Sequence, residues 1–169
     1  MSINLKKNFG VLPPPENPKE FWLGAVSGIV HENRNTIYDW RAFLPSEERQ
    51  KFRYFDSFGC ASFSCLNSLE TQFDFLIKSS LTRPEDLEWL KSNGYIDSNG
   101  KVNFDDRWLV VLSNTIPGVG NYLHAVWDAA RKFGLVPQGS VPFTEDMSQN
   151  EFYDKSDFPV KVYELGLEF

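Results

Sequence analysis

The spacing of apolar positions changes near residue 60. From there Phe63, Leu66, Leu69, Phe73 and Leu76 fall three or four residues apart, with Ile77 adjoining, so they share one face of a helix. The spacing predicts a helix over about residues 58–78, with Asp56 or Ser57 as its cap and Gly59 as a tight backbone turn just before Cys60. "RPEDLEWLKSNG" (83–94) carries proline and acids at its start and Asn-Gly at its end, which predicts a second helix. "IDSNGK" reads as a turn, "FDDRWLVVLSN" (104–114) as a short helix or apolar segment, and "TIPGVGN" as a glycine-containing loop. "NYLHAVWDAARKFG" (121–134) predicts a helix closed by Gly134. After it "LVPQGSVPF" is irregular, and "PVKVYELGLEF" alternates as a strand does.

Before residue 60 the pattern is weaker. Residues 1–20 are polar and proline-rich ("VLPPPENPKE") and predict an extended arm. "FWLGAVSGIV" (21–30) reads as an extended segment or short strand, and residues 31–50 as an irregular stretch pinned to the core by Trp40 and Phe43. The expected class is α+β with a helical majority: an arm over 1–37, few short strands, and one domain over 38–169 built around the helix that Cys60 begins.

Composition narrows the partners. A chain of 169 residues, 41% hydrophobic and 15% aromatic, can bury one substantial core. Its net charge of −6, with no basic run, argues against nucleic acid or an anionic membrane surface as the main partner. No apolar run approaches the roughly 20 residues of a membrane span, and the first residues lack the apolar core of a secretory signal. Cys60 and Cys65, five apart on one helix, point to different faces and are expected to be free thiols. Neither histidine stands at metal-ligand spacing from them, so neither a metal nor a cofactor is expected.

Cys60 is the candidate for chemistry. At a helix N-terminus a thiolate is stabilised by unpaired backbone N–H groups and the helix dipole, and the same N–H groups can hold an oxyanion. The alternative is a small buried side chain without reactivity. His124 and Asp128 lie one helical turn apart, the arrangement that orients a catalytic imidazole, although a structural pair is the simpler reading. His31 reads as a solvated loop residue.

"CASFSCLNSLE" resembles the start of the papain-like cysteine peptidases: Phe63, Ser64 and Glu70 stand at offsets 3, 4 and 10 from Cys60 as they do in that family. "YDWRAFLPSEERQ" looks like the Asp-Trp-Arg that opens many of its mature domains. "GVGNYLHAVWDAARKFGLVPQGSVPFTED" looks like its glycine loop, helix and Tyr-Pro-Tyr segment. The similarity runs in order over about residues 38–146 and implies the helical left lobe of that fold, with Cys60 as nucleophile. It also implies that Gly118, Gly120 and Asn121 offer backbone hydrogen bonds to an extended peptide; an ordinary pre-helix turn is the alternative.

The departures are specific. Ser57-Phe58-Gly59-Cys60-Ala61 keeps little of the family signature around the nucleophile. The oxyanion-hole glutamine is expected six residues before the cysteine, where Tyr54 stands, and Gln50 is the nearest glutamine. The family's His and Asn are expected roughly 130–150 residues after the cysteine, in a right lobe beyond Phe169. Such departures resemble divergent segments encoded by bacteriophages, which implies a cytoplasmic or virion location. Two main readings result: a cysteine peptidase, or its N-terminal part, acting on a peptide substrate; and a catalytically incomplete subunit joined to a protein partner or larger assembly, in part through residues 1–37. A third, an unrelated small helical domain, expects Cys60 in mid-helix or fully buried.

Overall fold

The computed structural model describes residues 10–11, 39–45 and 49–169. Apart from Gly10 and Val11, the expected arm over 1–37, the segment at 21–30 and His31 lie outside these residues. About half of the described chain is helical, with few, short strands. In order it forms β1 (Gly10–Val11), α1 (Cys60–Lys78), α2 (Pro84–Ser92), α3 (Asp106–Leu112), β2 (Gly120–Asn121), α4 (Leu123–Phe133), α5 (Gln149–Tyr153) and α6 (Val160–Glu168). β1 and β2 pair in parallel, Gly10 opposite Gly120 and Val11 opposite Asn121.

α1 begins where the spacing places it, but its cap differs from expectation. The N-cap is Gly59, without a side-chain cap bond. Asp56 and Ser57 act earlier: Asp56 Oδ1 accepts from Phe58 N (2.8 Å) and Ser57 Oγ from Gly59 N (3.3 Å). The left-handed residue is Phe58, with φ of 50°, and not Gly59, whose φ is −86°. Glycine at 59 meets a different need: a Cβ there would lie 2.7 Å from Val110 Cγ2.

α1 packs against α3 and α4. Ala61, Cys65 and Leu66 join Tyr95, Phe104, Leu109 and Val126 in one apolar cluster, with Leu69, Phe73 and Ile77 at its margin. Phe63 belongs instead to a second cluster around Trp108, Val110, Phe152 and Phe158. Trp40 and Phe43, expected to pin residues 31–50 to the core, pack on Phe75 with ring centroids 5.2 and 5.3 Å away, on the outer side of α1 and outside both clusters, and Trp40 stays exposed. Arg107 is buried beneath the second cluster. Its Nε donates to Phe152 O (2.8 Å), its Nη2 to Asp154 O (2.8 Å) and its Nη1 to Asp157 Oδ2 (2.9 Å), and Phe158 lies under the guanidinium. A buried cation is tolerable because nearly every donor has an acceptor.

The expected C-terminal strand is a helix, α6. Alternation at Val160 and Val162 misleads, because Val160 is 75% exposed while Val162 and Gly166, four apart, face inward. A Cβ on Gly166 would stand 2.4 Å from Phe133 O, so the missing side chain lets α6 lie directly on the end of α4. α5 is opened by a reciprocal capping box between Ser148 and Glu151.

Candidate functional site: the Cys60 approach and the Gly120–Asn121 edge

The segment before Cys60 doubles back on itself. Ser57 N donates to Gln50 O (2.9 Å) and Phe52 N to Phe55 O (2.9 Å), with Lys51 bridged to Asp56 and Tyr54 exposed near the tip. This small hairpin lies between Gln50 and Cys60, ten residues apart. The residues between them loop out, and the Gln50 backbone lies across from Ser57, three residues before the thiol. Ser57 is fully buried, and its carbonyl accepts from the Tyr153 hydroxyl. Phe58 is thus held in a left-handed conformation by bonds on both sides, an arrangement that costs about 1–2 kcal/mol for a residue with a side chain.

Cys60 is the first residue of α1 and is half-buried. Burial pushes its thiol above the ordinary cysteine value; the Ala61 N–H opposes this, the Asp56 charge adds to it, and the Cys60 N–H opposes it again. The sulfur therefore faces backbone donors suited to an anion, in surroundings that keep it protonated at neutral pH. Cys65, one turn further on, is buried, and desolvation pushes its thiol up to about 12. Cys60 and Cys65 form no disulfide. Cys60 lies neither in mid-helix nor fully buried, the placement expected of an unrelated helical domain.

The Gly118–Asn121 loop is a tight closure. Ile116 N donates to Gly120 O (3.0 Å) and Gly120 N to Ile116 O (2.9 Å), with Gly118 turning at φ of 75°. Gly120 and Asn121 form β2, and extended main chain, Gly10–Val11, is seated on them; Gly118 takes no part in that pairing. α1 touches both strands.

Behind this edge lies a polar cluster that the sequence reading did not identify. The Asn121 Nδ2 donates to Ser113 O (2.9 Å), Ser113 Oγ (2.9 Å) and Thr115 Oγ1 (3.1 Å), while its Oδ1 accepts from Tyr122 N (2.8 Å). Ser113 Oγ lies 3.4 Å from Ser62 Oγ, two residues into α1 from Cys60. Small polar residues inside apolar stretches, such as Ser113 after "WLVVL", were the available signal.

His124 stacks on Tyr122, ring centroids 5.3 Å apart, and Asp128 is engaged by Arg131. A cavity of about 640 Å³ lined by Phe73, Leu81, Arg83, Trp89 and Phe169 lies toward the other end of α1; none of Cys60, Gln50, Gly118, Gly120 and Asn121 lines it. Among the described residues no cluster of three or more His, Cys, Asp or Glu is placed to hold a metal ion. Among the same residues no helix is long and apolar enough to cross a membrane. No family model, no curated protein and no solved structure matches the chain.

Proposed function

We propose that this chain is the helical lobe of a papain-like cysteine peptidase, with Cys60 as nucleophile and the Gly120–Asn121 edge, on which Gly10–Val11 sits in the structure, as the seat of an extended peptide that takes the place of that segment. The observation that carries this reading is the pairing of Gly10–Val11 with that edge, on an element packed against the helix Cys60 begins. In the reaction a base takes the Cys60 proton, and sulfur bonds to the scissile carbonyl carbon as the C=O pair moves to oxygen. The backbone N–H at Cys60 meets that oxyanion, with Gln50 as the candidate second donor. Collapse breaks the C–N bond, the amine leaves with the proton from the base, and water later releases the acid from the thioester. Family resemblance assigns the base to a histidine of a second lobe.

A second reading is a catalytically silent binding subunit. It is favoured by the burial that keeps Cys60 protonated, since helix-terminal stabilisation is only ~0.3–1 kcal/mol in ordinary settings. Under this reading the protein partner takes the same edge, and other contacts of a larger assembly run through residues 1–37. The two are separated by Cys60→Ala in protein supplied with the base-bearing lobe. Loss of peptide hydrolysis, with Cys65→Ala active, supports the peptidase. Undiminished hydrolysis in Cys60→Ala overturns it, and no hydrolysis in either parent or variant supports the binding subunit.

A further inference from the structure

We propose that Asn121 is a positioning residue, whose buried side chain registers main chain bound on the Gly120–Asn121 edge against the Cys60 sulfur. The inference rests on the reading of that edge as a peptide seat.

The argument begins with how the edge is held. A two-residue strand has too few backbone bonds to fix its own position. Its place must come from elsewhere, and the two Nδ2 hydrogens of Asn121 are shared among three acceptors, Ser113 O, Ser113 Oγ and Thr115 Oγ1. All of these residues are buried, where hydrogen bonds are poorly screened and a lost partner is costly. Ser113 Oγ lies 3.2 Å from Val110 O, 2.9 Å from Asn121 Nδ2, 3.2 Å from Thr115 Oγ1 and 3.4 Å from Ser62 Oγ. A chain of polar contacts therefore runs from the first turn of α1 through the cap of α3 to β2. Its two ends are the helix turn that carries Cys60 and the strand that takes main chain.

Asn121 also accepts from Tyr122 N through Oδ1, which fixes the amide orientation with Nδ2 toward the cluster. Aspartate at 121 would keep the shape but lose both Nδ2 hydrogens and set a carboxylate oxygen against the Ser113 carbonyl. Alanine would free the strand from the cap of α3.

The test compares two reagents at one thiol in the full chain. Iodoacetamide reports access to Cys60 alone; a tripeptidyl halomethyl ketone reports access plus main-chain registration, and peptide mapping by mass spectrometry assigns the label. The parent chain should favour the peptidyl reagent at Cys60. Asn121→Ala should reduce that preference about tenfold while the iodoacetamide rate stays within about twofold, as the loss of one to two buried hydrogen bonds implies. Thr115→Val, nearly isosteric and missing one acceptor, should reduce it about threefold and serves if Asn121→Ala does not fold. Preference retained in a folded Asn121→Ala, or in Thr115→Val when the alanine variant does not fold, overturns the positioning role and leaves the peptide seat standing. Absence of any preference in the parent overturns both.

Discussion

At its first turn α1 meets hydroxyls and a side-chain amide: Ser62 reaches Ser113, and Ser113 reaches Asn121. Further along, the same helix buries two carboxylates. Glu70 Oε1 accepts from Phe104 N (2.8 Å) and Asp74 Oδ1 from Val102 N (2.9 Å), so the pair binds the backbone of the 96–104 turn to the helix. The first end carries the strained Phe58 and leaves a thiol half-buried. The second buries two carboxyl groups and supplements strand-like pairing with side-chain acceptors. The difference teaches that the far end of α1 ties a neighbouring turn to the helix through buried carboxyl groups, whereas its start leaves the Cys60 thiol only half-buried.

The sharpest break should come at the carboxylate end. Glu70→Ala leaves the Phe104 N–H buried without its acceptor and opens a gap at a fully buried site; we expect a loss of about 3 kcal/mol in urea unfolding, against about 1 kcal/mol for Glu70→Gln. At the other end Gly59→Ala forces a methyl against Val110 Cγ2 and Phe63. It should destabilise by about 2 kcal/mol and shift the tryptophan fluorescence of the neighbouring cluster.

The smallest effect separates the two ends by pH. Burial raises the Asp74 carboxyl above its ordinary value, opposed by the Val102 N–H and by Lys78 and Lys101, while Asp97 adds to it. The folded chain therefore holds that proton more tightly than the unfolded one. Its contribution to stability is complete below the ordinary value of about 3.9 and is lost as pH rises through the folded value. Asp74→Asn has no proton to lose. At pH 7 it should be at least as stable as the parent, by up to about 1 kcal/mol, and its stability should rise less on acidification toward pH 4. Asp105, also raised by burial, keeps part of the acid-side rise in both chains. Thermal melts across this pH window check the sign.

Much of this contrast was legible where one local rule dominated. The start of α1 at Cys60 followed from apolar spacing, and the closure of α4 from Gly134. Trp40 and Phe43 were expected as anchors on the core; they pack instead on Phe75, outside both core clusters, with Trp40 exposed. α6 was misread because two alternating valines mimic a strand, whereas the deciding contact is Gly166 against Phe133, a tertiary fact. α5 was missed although its Ser148-to-Glu151 capping box is visible in the sequence. Burial of Glu70 and Asp74 could not be read from residue type, since acids normally mark the solvated face. The 50–57 hairpin was equally hidden, because its hydrogen bonds join backbone atoms and leave no pattern of residue types. Asn121 was expected to offer its backbone; the role of its side chain depends on Ser113 and Thr115 lying behind it.

The central claim is that α1 presents Cys60 and buries Cys65. It is tested most directly by the rates at which iodoacetamide alkylates the two thiols in the folded chain, followed residue by residue across pH 6–10. Cys60 should react first, at a rate still climbing above the ordinary thiol value of about 8.5, with Cys65 protected until the chain unfolds. Equal rates at the two cysteines, or faster labelling of Cys65, would contradict it.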